Sequence, residues 1–137
     1  MQGGEPERAT VGSPGAHGFT LIELLVVMAI VSALLSIVAP RYLRKVELAK
    51  EAALRENLSA LRVGLDQFYS DHGRYPERLD ELIVRRYLRN LPLDPVTDRR
   101  DSWVSSMREE SDGKKVVQDV HSGAAGNGSD GTPFKSW

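Results

Sequence analysis

Residues Phe19 to Ala39 read FTLIELLVVMAIVSALLSIVA, 21 positions with one charge among them, Glu23. A helix needs about 20 mostly apolar residues to cross the hydrocarbon core of a bilayer. The core helix of a soluble domain is seldom apolar all round, so this stretch predicts a membrane-spanning helix. A cleavable secretory signal is the competing reading, but its apolar region runs about 7–15 residues and ends in small residues of the A-x-A kind. Here the run is longer and closes on Ile37-Val38-Ala39-Pro40, with no small residue two positions before Ala39 and a proline directly after it.

Outward from this stretch the chain changes character on both sides. Residues 1–18, MQGGEPERATVGSPGAHG, carry Gly, Pro, Ser and Thr without apolar periodicity, which reads as a flexible tail. On the other side Pro40 kinks or ends the helix, and the helical pattern then resumes. Leu54, Leu58, Leu61, Leu65 and Phe68 are spaced 4, 3, 4 and 3 and form one stripe, with Leu43 and Val46 beginning a similar stripe nearer the apolar run. Glu51 and Arg55, four apart, are placed to support the polar face. The first turn signal is Asp71-His72-Gly73, with Gly73 suited to a helix C-cap and His72 to a cation at the helix end. The reading is one helix from about Thr20 to Ser70, on the order of 75 Å long and kinked near Pro40. Gly64 inside it costs about 1 kcal/mol relative to alanine.

Beyond Pro76, Leu79, Leu82 and Ile83 predict a short second helix ending near Arg86. Leu91-Pro92-Leu93-Asp94-Pro95 reads as extended loop, because proline restricts the residue before it. Ser102–Arg108 and Lys114–His121 alternate apolar and polar residues around Ser111-Asp112-Gly113. They predict a hairpin whose buried face holds Trp103, Met107, Val116 and Val120. Residues 122–132 are a glycine-rich loop, and the aromatics of Pro133-Phe134-Lys135-Ser136-Trp137 are expected to dock on the head. The fold class is therefore α+β: a long N-terminal helix packed on a small antiparallel sheet. The domain division is a tail at 1–18, an apolar helical half at 19–39 and a polar head at 40–137.

The 137 residues carry 18 basic and 19 acidic side chains, a net charge of −1, so nothing in the balance points to nucleic acid. The absence of cysteine excludes a disulfide framework, a thiolate metal site and a cysteine nucleophile. His17, His72 and His121 lack metal-ligand spacing, and Ser122 beside His121 has no positioned acid or oxyanion loop. No phosphate-binding loop is present. Arg85, Arg86 and Arg89 form a basic cluster of the kind usually found on a solvated face. The chain is not read as an enzyme.

Gly18-Phe19-Thr20-Leu21-Ile22-Glu23-Leu24-Leu25-Val26-Val27 closely resembles the N-terminal signal of type IV pilins and pseudopilins. Chance apolar spans rarely carry a glutamate there directly behind Gly-Phe. In the head, Gly73-Arg74-Tyr75-Pro76, the run Tyr87 to Pro95, Trp103, Asp119-Val120-His121-Ser122-Gly123 and Asp130 to Trp137 resemble the major pseudopilin of type II secretion, the G type. Many members read Asp-Pro-Trp-Gly where this chain has Asp94-Pro95-Val96-Thr97. The resemblance covers residues 18–137. It implies cleavage by a prepilin peptidase between Gly18 and Phe19, N-methylation of Phe19, and homopolymerisation into a periplasmic pseudopilus. It also implies work alongside minor pseudopilins and an inner-membrane assembly platform to drive protein export. The tail would be cytoplasmic and the head periplasmic. A type IV pilus subunit and a non-polymerising membrane-anchored binding domain are the other readings.

Glu23 carries the most chemistry. A carboxylate at membrane depth is costly unless paired or protonated. One reading is an interfacial glutamate favoured by the helix N-terminal dipole. The other, implied by the resemblance, pairs it with the new Phe19 amine of the neighbouring subunit. Pro40 is either a helix boundary or a kink that shapes subunit packing. The resemblance also implies a structural calcium in the loop 119–130, where Asp119, Asn127 and Asp130 offer oxygens at a spacing unlike an EF-hand. A solvated loop is the alternative there. The charge pattern argues against the implied topology. Arg41, Arg44, Lys45, Lys50 and Arg55 follow the apolar run, whereas Arg8 alone precedes it and is offset by Glu5 and Glu7. The positive-inside rule would place the head in the cytoplasm. The peptidase signal, read by a dedicated route, takes precedence over that count.

Overall fold

The computed structural model describes residues 1–4, 12, 15 and 17–137. Most of the tail reading therefore lies outside the described residues, including Glu5, Glu7 and Arg8 of the charge count. The chain divides into two compact units, Met1–Ala39 and Pro40–Trp137.

Helix α1, Leu21–His72, runs unbroken through Pro40. Its start is set by a reciprocal cap, the Ser/Thr-x-x-Glu arrangement. The Glu23 N–H donates to Thr20 Oγ1 at 3.2 Å, and Glu23 Oε2 faces the Thr20 N–H at 3.5 Å. Its end is Gly73, at φ 68°, whose N–H donates to the Tyr69 carbonyl at 2.8 Å. The helix reaches two residues past the expected Ser70. His72 stays in the last turn because its ring stacks on Phe68 at 4.3 Å and places Nδ1 3.1 Å from the Phe68 carbonyl oxygen.

Within the first unit, the residues Leu21–Ala39 are exposed throughout, and the helix is long and apolar enough to cross a membrane. Within the second unit, Leu54, Leu58, Leu61, Leu65 and Phe68 are all buried, as their spacing predicts. They pack with Leu79 and Leu82, the latter on the short helix α2, Asp80–Val84, and with Trp103, Val117, Val120, Ala124 and Phe134. Each buried leucine, valine or phenylalanine among them stabilises the head by roughly 1.5–3 kcal/mol over leaving it in water. The stripe does not extend toward the apolar run as expected. Leu43 is exposed and Val46 half-buried, because this stretch of α1 borders an open cleft that it shares with Val96, Asn127 and Phe134.

The hairpin pairs β1, Trp103–Glu109, with β2, Lys115–Ser122, and turns at Gly113 with φ 80°. Ser106 opposes Asp119 and the next residue, Met107, opposes Val117, so Gln118 is an extra residue in β2. This bulge resets the alternation. Val117 joins Val120 in the core cluster, a place the simple alternation assigned to Val116, which is buried outside that cluster. Met107 faces the same side as Trp103 but remains half exposed, since β1 contributes one buried residue where β2 contributes four. The Val117 N–H donates to the Pro76 carbonyl at 2.7 Å, which ties the segment after α1 to β2. The last residues form a 3₁₀ turn, Phe134–Ser136, and Phe134 meets Trp137 edge-on at 5.1 Å, so the terminal aromatics dock as expected.

Candidate functional site

The candidate residues fall into two groups, one along the N-terminal half of α1 and the residues before it, the other in the closing segment of the head. Gly18 and Phe19 precede the first helical turn. A side-chain carbon added at Gly18 meets no atom within 4 Å, and Phe19 is 85% exposed. The peptide bond between them is thus outside regular structure and exposed. Glu23 sits in the first turn of α1, where the unpaired N–H groups of the helix start favour negative charge. The cap formed with Thr20 is a feature that the reading of Glu23 as an assembly residue overlooked, although Thr20-x-x-Glu23 is legible as a capping box. Pro40 sits in the interior of α1 and removes one backbone donor from it.

The second group is the closing segment of the head. Asp119 receives Arg62 Nε at 2.8 Å and the Val120 N–H at 2.7 Å, both on Oδ1, and its Oδ2 lies 3.5 Å from His121 Nε2. Burial opposes ionisation of Asp119, but the Val120 N–H, the Arg62 guanidinium and His121 outweigh it and hold its carboxyl below the ordinary value. Asp130 accepts the Thr132 hydroxyl at 2.6 Å and its N–H at 2.9 Å, and pairs with Arg55 at 3.0 Å. The Thr132 bonds, aided by Arg55, lower its pKa against partial desolvation. Each carboxylate is already engaged by a different arginine, and among the described residues no three His, Cys, Asp or Glu side chains cluster as metal ligands. Glu51 and Arg55 do not support each other along the helix face either. Glu51 accepts the Ser129 N–H at 2.7 Å and its hydroxyl at 2.6 Å, while Arg55 goes to Asp130.

Asp94 is the residue that sequence reasoning passed over. It is fully buried, its Oδ1 accepts the Val96 and Thr97 N–H groups at 2.9 and 3.3 Å, and its Oδ2 accepts the Ser122 hydroxyl at 2.6 Å. The signal was Asp94-Pro95 opening a turn, where an aspartate typically caps its own following backbone. Ser122 is consumed as a donor in this bond and His121 Nδ1 lies 2.8 Å from the Trp137 carbonyl oxygen, so the two do not face each other as nucleophile and base.

Residues 14–39 match the family model described as the prokaryotic N-terminal methylation motif. The chain is 32% identical over 126 residues to type II secretion system core protein G of Klebsiella pneumoniae, covering 85% of this chain and 87% of that one. It is 32% identical over 126 residues to the protein of the same name from Dickeya chrysanthemi, covering 80% of it. The type IV major pilin protein PilA of Myxococcus xanthus is 34% identical over 70 residues, and the match spans 32% of that pilin. No solved structure matches the chain. The pilin match stops short of most of the pilin's length, whereas the core protein G matches run through both helix and head, and the chain belongs to the family of type II secretion system core protein G, the G-type pseudopilins.

Proposed function

We propose that this chain is the precursor of a subunit of a periplasmic pseudopilus, cut after Gly18, methylated on Phe19 and polymerised through α1 to drive protein export. The observation that carries this reading is the Gly18-Phe19-Thr20-Leu21-Ile22-Glu23 motif on an exposed, non-helical Gly18–Phe19 bond, joined to a head of the core protein G family. Cleavage creates an amine on Phe19. In a helical assembly that amine meets Glu23 of the preceding subunit. Any other register leaves both charges unpaired in lipid, so the pair sets the axial step. Because the same two patches recur head to tail without closing, the product is an open filament. The exposed apolar residues from Leu21 to Ala39 anchor the subunit in the inner membrane before assembly and pack against their copies after it. Pro40, where α1 leaves the apolar run, lacks a backbone donor and contributes to subunit packing. The head is periplasmic and the tail cytoplasmic. The partners are the prepilin peptidase, minor pseudopilins and an inner-membrane platform whose ATPase supplies the energy.

The test is the intact mass of membrane-purified protein co-expressed with its cognate peptidase. The expected species begins at N-methylated Phe19. A full-length chain would overturn the processing and leave a simple anchor with a cytoplasmic head. Glu23→Leu is expected to be processed and inserted but not to polymerise, while a simple anchor is indifferent to it.

A further inference from the structure

We propose that the closing segment of the head, residues 119–137, is locked onto α1 by two arginines and a glutamate that do the work a calcium ion would do, so that the head is metal-independent. Glu51, Arg55 and Arg62 are spaced 4 and 7 and share one helix stripe. Each reaches a different point of the segment. Glu51 takes both donors of Ser129. Arg55 binds Asp130 and lays its guanidinium over the Trp137 ring, 4.0 Å from the centroid. Arg62 is trifurcated: Nε goes to Asp119 at 2.8 Å, and Nη2 goes to the carbonyls of Val120 at 3.1 Å and Trp137 at 2.9 Å. The planar fork of arginine suits this clamp, because its five donors are held in fixed directions.

The donor set does not suit a hard dication. Calcium takes 6–8 oxygens at about 2.3–2.6 Å. Here the carboxylates of Asp119 and Asp130 are engaged by guanidinium, hydroxyl and backbone donors, and of the residues between them Ser122, Asn127 and Ser129 carry a side-chain oxygen, those of Ser122 and Ser129 being already bonded to Asp94 and Glu51. Two fixed positive charges beside the would-be ligands repel a third. The segment is nonetheless well held: Trp137 Nε1 donates to Thr132 Oγ1 at 2.6 Å, and Gly128 lets that ring approach, since a side-chain carbon there would clash with it. An ion cage makes a head sensitive to chelators. An arginine clamp makes it sensitive to salt and to acid instead.

The inference concerns the head alone, and its test uses the unpolymerised full-length chain in detergent, so it stands or falls separately from filament assembly. Thermal unfolding is followed with EGTA and with excess calcium, and terbium is titrated as a calcium surrogate, with Trp137 as the antenna for its luminescence. The expected result is the same Tm in both buffers and no terbium emission that calcium displaces. Arg62→Gln and Arg55→Gln together are expected to lower Tm by about 4–8 °C, equally with and without calcium. A calcium-dependent rise in the Tm of the unmodified chain, a saturable terbium signal displaced by calcium, or an unchanged Tm in the double variant would each overturn the proposal.

Discussion

Two stretches of one helix, Leu21–Ala39 and Leu54–Phe68, are both rich in leucine, yet they meet opposite fates. The first is apolar on every face and has no residue buried within the chain. The second confines its apolar residues to one stripe, and those residues are 0–2% exposed. The difference is the distribution of apolar side chains around the helix rather than their number. A stripe can be satisfied by one small hairpin and a short helix. A cylinder can be satisfied only by lipid or by copies of itself. The sharpest way to break this comparison is to truncate one leucine in each stretch. Leu61→Ala opens a cavity in the head core and is expected to cost about 2–5 kcal/mol. Leu25→Ala is expected to leave the unfolding of the head unchanged. Chemical denaturation of the two variants in detergent reads both, and equal losses would mean that the apolar stretch is part of the head core after all.

The two stretches also differ in how much of their reading depends on distant residues. The apolar run, the 4-3-4-3 stripe, the Gly73 stop and the hairpin turn at Gly113 are local patterns, and each is found where the periodicity and turn chemistry put it. The misreadings share one origin. Glu51 and Arg55 satisfy the rule for a local pair, but each finds a better partner more than seventy residues away, on Ser129 and Asp130. Gln118 carries no signal of a bulge, and the extra residue becomes necessary only when Val117 and Val120 must face the same core. Asp94 shows its turn in the sequence, but its burial depends on Ser122, which the hairpin brings to it. The Gly18–Glu23 motif was legible because its chemistry is linear: a bond to cut, an amine to release and a carboxylate a few residues on.

Acid offers a second way to sharpen the contrast, because the described ion pairs all lie in the head. Asp101, Asp119 and Asp130 all have pKa values below the ordinary 3.8 in the folded chain. For Asp101 the cause is Arg99, which forms a two-point bond at 2.7 and 2.8 Å. A depressed carboxylate pKa contributes stability that is fully present above the unfolded value. It is lost as pH falls through the folded value. The Tm of the head is therefore expected to be flat above about pH 5 and to decline below pH 4. In Asp119→Asn the decline is shallower, with a lower plateau at neutral pH. An unchanged slope would show that the clamp on Asp119 contributes nothing measurable, as exposed ion pairs often do.

The smallest expected effect lies inside the stripe. Gly64 is a buried glycine in the middle of α1, where the backbone pays for a freedom it does not use. It has no positive φ to excuse it. A side-chain carbon built there would lie 3.5 Å from Leu88 and 3.6 Å from Leu82, ordinary van der Waals contact rather than a clash. Gly64→Ala should therefore add helix propensity and a little packing together, raising stability by about 0.5–1 kcal/mol. The same substitution at Gly128 would drive a methyl into the Trp137 ring and should act in the opposite direction. If Gly64→Ala stabilises the head but slows filament assembly, the groove at that position is reserved for a neighbouring subunit. If it stabilises the head and leaves assembly unchanged, the glycine is a residue that the stripe can do without, and burial by the head is the whole of what this half of the helix requires.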